Sequence, residues 1–104
     1  MKLLVKPAAR RDILAQAVYF AEQGGEALAN RFLHSVENSL THLLDHSRAG
    51  APKFFDNPAL AGLRSWPVAD FEDVRAYYLA TSAEVSVLRV LHGKRDLPHI
   101  LGDG

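Results

Sequence analysis

The chain of 104 residues contains no cysteine. This excludes disulfide bonds, thiolate nucleophiles and cysteine–zinc sites, and it fits a reducing compartment such as the cytoplasm. No run approaches the roughly 20 apolar residues that a membrane-spanning helix needs. The apolar run at the N-terminus is too short for a signal peptide. We therefore expect a cytoplasmic protein without a membrane segment.

The chain also lacks an excess of either charge, because 12 basic and 12 acidic residues give a formal net charge of zero. Domains that bind nucleic acid through bulk charge are usually strongly basic, so sequence-specific DNA binding by the chain alone is not expected. A local basic patch remains available at the N-terminus, made of Lys2, Lys6, Arg10 and Arg11. The length corresponds to a single domain over residues 1–104.

The first half of the chain predicts a strand followed by two helices. Residues 2–5 are apolar and end before Pro7, which suits a short opening strand. Residues 8–23 and 26–46 each repeat apolar side chains at spacings of three and four, the pattern of a helix with one buried face. Only Gly24 and Gly25 separate the two helices, and so short a connection favours an antiparallel helical hairpin.

The second half predicts three strands after a loop rich in glycine and proline over residues 48–61. The strands cover residues 63–66, 74–81 and 84–92, and the last is apolar on both faces, as in a central strand. Short connections between them favour an antiparallel meander. The predicted fold is therefore α+β in the order β-α-α-β-β-β, with a twisted antiparallel sheet and a two-helix hairpin packed on one face.

Four stretches of the chain together resemble the ParE branch of the ParE/RelE toxin–antitoxin superfamily. They cover residues 6–12, 62–68, 75–78 and 88–97, and the most specific element is the string RVLHGKRD within the last of them. The resemblance implies the same sheet and hairpin, and it implies the toxin component of a type II toxin–antitoxin system. The implied partner is a cognate, ParD-like antitoxin that wraps around the toxin in a hetero-oligomer. The implied target is DNA gyrase, inhibited by protein–protein binding.

An alternative within the superfamily is a ribosome-dependent mRNA endoribonuclease of the RelE type. That chemistry needs a base, an acid and cations that stabilise the phosphorane, and Arg64, Arg89 and His92 are the candidates here. The chain has no tyrosine after Tyr78, so the full set of RelE-like residues is missing. A third possibility is a remnant that still binds its antitoxin but poisons nothing.

The candidate contact residues form two groups. Those expected to contact a target or partner are Arg64, Arg75, Arg89, His92, Lys94 and Arg95. Those expected to form the antitoxin groove are Leu3, Val5, Leu14, Val18 and Phe32. The simpler interpretation of the arginines is that Arg64 and Arg89 pair with carboxylates such as Asp70, Glu72 or Asp96.

A metal site is not expected. His42 and His46 have the i, i+4 spacing that can hold a metal ion, but they lack the glutamate of an H-E-x-x-H motif. We interpret them as solvated histidines of the second helix. No cofactor is expected either, since the sequence has no glycine-rich phosphate loop.

Overall fold

The structure, a computed structural model, describes residues 1–93 and Ile100. Within this part of the chain, five strands form one mixed sheet in the order β1-β5-β4-β3-β2. The elements are β1 (Lys2–Val5), the helical segment α1 (Pro7–Asp45), β2 (Ala51–Pro52), a 3-10 helix (Pro58–Leu60), β3 (Arg64–Val68), β4 (Phe71–Ala80) and β5 (Glu84–His92). The predicted α+β class is confirmed.

The helical segment α1 spans the two helices that the sequence predicts, and it is interrupted at Gly25, where the chain folds back on itself. Gly25 has φ 82° and ψ −179°, a backbone conformation that is essentially restricted to glycine. The rings of Phe20 and Phe32 lie 4.9 Å apart between centroids, whereas twelve residues of straight helix would separate them by about 18 Å. Residues 7–24, the first arm, and residues 26–45, the second arm, therefore form the predicted hairpin.

The hairpin packs on one face of the sheet through side chains spaced three or four residues apart. This core also contains the inward-facing side chains of β4 and β5. Its buried members include Ala9 and Ala17 of the first arm, Phe32, Val36, Leu40 and Leu43 of the second arm, and Val74, Ala76, Tyr78, Val85, Val87 and Val90 of the sheet. At the tip, Phe71 of β4 joins the rings of Phe20 and Phe32 at 5.0 and 5.3 Å. Each such pair contributes about 0.5–1.5 kcal/mol beyond its buried area.

The pairing of β1 corrects the prediction of a wholly antiparallel sheet. β1 lies at one edge of the sheet and pairs in parallel with β5, with Lys2 opposite Glu84 and Val5 opposite Val87. Parallel neighbours need a crossover connection of a dozen or more residues. The helical hairpin together with the strands before β5 supplies that connection, so the first strand and the last strand become parallel neighbours.

Two elements lie in the segment predicted as loop. β2 pairs antiparallel with β3, and the 3-10 helix follows it. The sequence predicts a strand over residues 63–66, ending before Pro67, but β3 continues to Val68. Pro67 lies inside the strand opposite Arg75, and the register shifts between Pro67 and Val68. Because β2 covers only residues 64 and 65 of β3, Pro67 lies at a sheet edge, where a missing N–H is tolerated.

The strand β5 has the bounds that the sequence predicts. It lies between β1 and β4, and Val85, Val87 and Val90 are fully buried, while Leu88 is half-buried on the other face. The prediction of a protected interior strand is confirmed. No stretch of helix among the described residues is both long and apolar enough to cross a membrane.

Candidate functional site

Arg64 fixes the backbone that leaves the second arm. It lies opposite Tyr78 in the β3–β4 register, on the face that the helices cover. Its Nη1 donates hydrogen bonds to the backbone oxygens of Gly50 at 2.8 Å and Arg48 at 3.2 Å. The predicted carboxylate partner is therefore replaced by backbone carbonyl oxygens of the loop between α1 and β2.

The hydroxyl of Tyr78 completes this arrangement. It donates a hydrogen bond to the backbone oxygen of Ser47 at 2.7 Å and accepts one from the backbone N–H of Gly50 at 3.0 Å. A side chain at Gly50 would place its Cβ only 2.4 Å from that hydroxyl, so the backbone approaches closely only because this residue is glycine. Burial raises the pKa of Tyr78, and the Gly50 hydrogen bond and the charge of Arg64 oppose the shift.

Arg75 points to the opposite face of the sheet. Its neighbours Val74 and Ala76 belong to the core under the helices, and successive side chains of a strand alternate between faces. The Arg75 Nε donates a hydrogen bond to the hydroxyl of Ser65 at 3.1 Å, and Ser65 is fully buried. Arg75 therefore satisfies a buried polar group on the outer face of the sheet, the face turned away from the helices.

Arg89 is held by a carboxylate that sequence reasoning missed. Its Nε and Nη2 donate to the two carboxylate oxygens of Asp12 at 2.7 and 2.9 Å, and the Val90 N–H donates to Asp12 Oδ2 at 3.0 Å. The partner of Arg89 is therefore Asp12 and not Asp70 or Glu72, and Asp96, the third predicted carboxylate, lies outside the described residues. Hydrogen bonding to Asp12 raises the pKa of Arg89, although partial burial opposes the shift. One signal was available, since Asp12 is the first acidic residue of a basic N-terminal segment.

His92 lies exposed at the end of β5, opposite Val74. It borders two shallow hollows. One is lined by Phe20 and by the acidic residues 70, 72 and 73, and the other is lined by Asp12 and Tyr19 of the first arm. The backbone N–H of Gly93 donates to the backbone oxygen of Asp73 at 2.8 Å, and this bond fixes the end of β5 against β4. The other two predicted contact residues of this region, Lys94 and Arg95, lie outside the described residues.

The three residues proposed for ribonuclease chemistry do not meet at one point. Arg64 and His92 lie opposite Tyr78 and Val74 on the two sides of β4. Strand rise and strand spacing place their Cα atoms about 16 Å apart. The guanidinium of Arg64 is also turned to the helix exit. Arg89 and His92 lie three residues apart on β5, and Arg89 is already bound to Asp12.

An exposed apolar strip lies on the outer side of the first arm. Leu14 and Val18 are one helical turn apart and are 63% and 59% exposed, and Tyr19 beside them is 49% exposed. Exposed side chains of this size are more informative when they lie together, because contiguous apolar patches mark interaction sites. The structure thus places two of the predicted groove residues, Leu14 and Val18, on one accessible surface.

The other predicted groove residues are placed differently. Phe32 is 0% exposed, so it belongs to the core and cannot line an open groove, because its ring packs against Phe20 and Phe71. Leu3 and Val5 are half-buried in β1. The Lys2 N–H donates to the backbone oxygen of Ala83, just before β5, and the Lys6 N–H donates to that of Val87 in β5. Alternation along the strand therefore turns the N–H groups of residues 3 and 5 to the outer edge.

His42 and His46 stack on each other with ring centroids 4.3 Å apart, and His42 also stacks on Trp66 at 5.1 Å. Both histidines are exposed. Parallel stacked rings do not direct two nitrogens at a common ion. Among residues 1–93 and Ile100, no group of three or more histidine or carboxylate side chains is placed to hold a metal ion.

Comparison with known proteins decides the family. Residues 3–97 match the family described as "ParE toxin of type II toxin-antitoxin system, parDE". The chain belongs to the ParE toxin family. A solved structure titled "Chromosomal ParDE TA system from P. aeruginosa" has the same fold, with a TM-score of 0.73 and 18% sequence identity, over 90% of this chain and 97% of that chain. No curated protein matches the chain closely in sequence. The resemblance to ParE toxins expected from four short stretches is thereby confirmed.

Proposed function

We propose that this ParE-family chain is a cytoplasmic toxin that inhibits DNA gyrase by binding it, and that a cognate ParD-like antitoxin neutralises it in a hetero-oligomer. The observation that carries the antitoxin half of the proposal is the exposed strip of Leu14, Val18 and Tyr19. A small domain that leaves such side chains in water is stabilised when a partner covers them.

The antitoxin contact has two components in this proposal. An amphipathic helix laid against the first arm would bury Leu14 and Val18 at i, i+4 spacing, and an extended segment would add to the free edge of β1. Backbone N–H groups alternate in direction along β1, so those of Leu3 and Val5 face the free edge and would pair with the added strand. Both components use secondary structure that the free chain already has, so little of the toxin must reorder on binding.

The separation of the arginines supports binding over cleavage. An RNA-cleaving site needs its base, acid and cations within hydrogen-bond reach of one phosphate. Arg64, Arg75 and Arg89 are instead each engaged with a different part of the fold: the helix exit, Ser65 and Asp12. These contacts stabilise the toxin fold, and they leave exposed residues such as His92 to contact a target.

The test is the state of DNA and RNA after brief expression of the chain. The proposal expects double-strand breaks in DNA and intact messages, and it expects co-expression of the product of the adjacent small gene to restore growth. His92→Ala should leave substantial toxicity, because no proton transfer depends on it. Cleaved messages that disappear in a folded His92→Ala variant would support the ribonuclease alternative instead, since loss of a catalytic acid or base typically costs about 10²–10⁴-fold in rate.

A further inference from the structure

A hollow of about 350 Å³ lies at the end of the sheet away from the hairpin tip. The segment that leaves α1 lines one side of it through residues 47 and 48, and residues 62 and 64 and the turn between β4 and β5 line the rest. Its charged side chains are those of Arg48 and Arg64, and no aspartate or glutamate among the described residues lines it. This site, the arginine hollow, is therefore cationic.

Arg64 is a half-buried cation that lacks a carboxylate partner. It donates hydrogen bonds to the backbone oxygens of Arg48 and Gly50, and both bonds use Nη1. Its Nε and Nη2 donate no hydrogen bond within the described part of the chain, where the one ion pair joins Arg89 to Asp12. Charges withdrawn from water are usually paired. The rest of this guanidinium is thus available to an anion, in an orientation that two carbonyl groups already fix.

Arg48 and the β4–β5 turn supply further donors. Arg48 is exposed, and its side chain makes no hydrogen bond or ion pair among residues 1–93 and Ile100. The hydroxyl of Thr81 accepts hydrogen bonds from two backbone N–H groups of the turn, both at 3.1 Å, which fix its shape. The hydroxyl of Ser82 is exposed and has no hydrogen-bond partner in that same part of the chain. Two guanidinium groups and one free hydroxyl therefore line the arginine hollow.

The carboxylates nearest in sequence do not neutralise these charges. Val85 is buried in the core under the helices, so alternation along β5 turns Glu84 to the outer face of the sheet. There the carboxylate of Glu84 accepts a hydrogen bond from the Ser86 hydroxyl at 2.7 Å. Asp45 precedes Arg48 by three residues but forms no ion pair with it. The arginine hollow thus offers two positive charges to a ligand.

The donor set fits a phosphate group better than a carboxylate. A carboxylate has two oxygens and one negative charge, and a single guanidinium fork satisfies both oxygens. A phosphate monoester carries about −1.5 to −2 charges at pH 7 and three strong acceptor oxygens. It therefore matches two cations and a hydroxyl that reach the ligand from different elements of the fold. Arginine also presents a rigid fork of donors that suits phosphate geometry.

We propose that the arginine hollow binds a phosphate group, held by the guanidinium groups of Arg48 and Arg64 and by the hydroxyl of Ser82. The group is either inorganic phosphate or the terminal phosphate of a nucleotide, since both present the same oxygens to the site. The arginine hollow is separate from the apolar strip and from the Arg89–Asp12 pair. The inference is independent of the antitoxin and of the gyrase target.

Nuclear magnetic resonance of the ¹⁵N-labelled full chain tests the proposal. Inorganic phosphate should shift the backbone amide resonances of Gly62 and Ser82, which line the arginine hollow, and the shifts should saturate. Malonate carries its two negative charges on carboxylates, so it should bind more weakly than phosphate. Adenosine 5′-monophosphate distinguishes the sources. Tighter binding than that of inorganic phosphate assigns the site to a nucleotide, and equal binding assigns it to phosphate alone.

Arg48→Gln should weaken phosphate binding about tenfold, because a charge-assisted hydrogen bond is lost. Arg31→Gln is the matched control, since it removes the same charge from an exposed position on the second arm, outside the arginine hollow. The remaining amide resonances establish that both variants are folded. The proposal is overturned if phosphate gives no saturable shift, if malonate or adenosine binds as tightly as the phosphate compounds, or if both variants weaken binding equally.

Discussion

Asp12 connects the first arm to β5 more directly than any other side chain whose contacts the structure describes. It accepts two hydrogen bonds from the Arg89 guanidinium and one from the Val90 N–H. The pair is partly accessible, because the side chain of Asp12 is 14% exposed and that of Arg89 is 26% exposed. Solvent screening therefore reduces its contribution to stability below that of a fully buried pair. Its main effect is to fix where the helix begins relative to the sheet.

We predict that Asp12→Ala lowers the free energy of unfolding by about 2 kcal/mol, because charge-assisted hydrogen bonds are lost and Arg89 is left without its partner. Urea denaturation measures the change. Glu22→Ala on the same arm is the control, since Glu22 is exposed, and surface substitutions usually change stability by less than about 0.5 kcal/mol. Equal effects of the two substitutions would show that the Asp12–Arg89 pair does not stabilise the fold.

The two adjacent tyrosines of β4 make the fold sensitive to alkaline pH. Burial raises the pKa of both Tyr77 and Tyr78 above the ordinary 10.0. A raised folded pKa means that the folded chain keeps these protons at a pH where the unfolded chain has lost them. The associated stability is fully present below pH 10 and is lost as the pH rises above it.

We therefore predict that the free energy of unfolding falls above about pH 10, with a limiting slope of about 1.4 kcal/mol per pH unit for each tyrosine. Tyr77→Phe should make the decline shallower. Tyr78→Phe should do the same and should also destabilise the fold at neutral pH, because the Ser47 and Gly50 backbone groups lose their partner. An unchanged slope in both variants would contradict this explanation.

Among the helices and strands, those with a local sequence pattern are predicted, whereas the pairing of strands distant in the sequence is not. The periodic apolar positions and the Gly24–Gly25 pair are sufficient to predict the hairpin, and β1 and β5 are predicted at their observed bounds. β2 is missed because a two-residue strand that contains Pro52 has no alternation to detect. The parallel pairing of β1 with β5 joins residues 2 and 84, and no local pattern encodes such a contact.

The candidate site divides in the same way. The spacing of Leu14 and Val18 predicts that they share one helical face, but it does not predict that this face is exposed. Phe32 is expected in the same groove, but the return of the second arm buries it against Phe20 and Phe71. The partner of Arg89 could not be predicted, because Asp12 is 77 positions away in the sequence and only the folded chain brings the two together.

The joint of the hairpin gives a prediction for the element as a whole. Gly25 has a positive φ that side chains rarely adopt, and Gly24 next to it has no such conformation. Gly25→Ala should cost about 1–3 kcal/mol of stability through backbone strain. Gly24→Ala should be close to neutral, because the gain in helix propensity offsets a shift of the flexible Leu28 side chain, which lies 2.6 Å from the added Cβ. Thermal unfolding compares the two, and a greater loss in Gly24→Ala would contradict the assignment of the joint.

In the molecule as a whole, the apolar strip of Leu14, Val18 and Tyr19 and the free edge of β1 lie on the helical side and at one edge of the sheet, away from its outer face. A substitution in the strip should therefore change antitoxin binding without changing the outer face.

Val18→Glu should abolish co-purification with the antitoxin and leave the fold intact, because a carboxylate would be buried without a partner at the centre of the contact. Phe54→Glu is the matched control, since Phe54 is 91% exposed and lies in the segment between β2 and the 3-10 helix. Pull-down from cells that express both proteins provides the measurement. Retention of the antitoxin by Val18→Glu, or its loss in Phe54→Glu, would place the contact elsewhere.

The proposal that this ParE-family chain inhibits DNA gyrase by binding can be tested with purified components. DNA supercoiling by purified gyrase is followed with increasing amounts of the purified chain, with and without the antitoxin. We expect the chain to inhibit supercoiling in proportion to its binding, and the antitoxin to restore the reaction. Full supercoiling in the presence of excess folded chain that remains toxic in cells would contradict it.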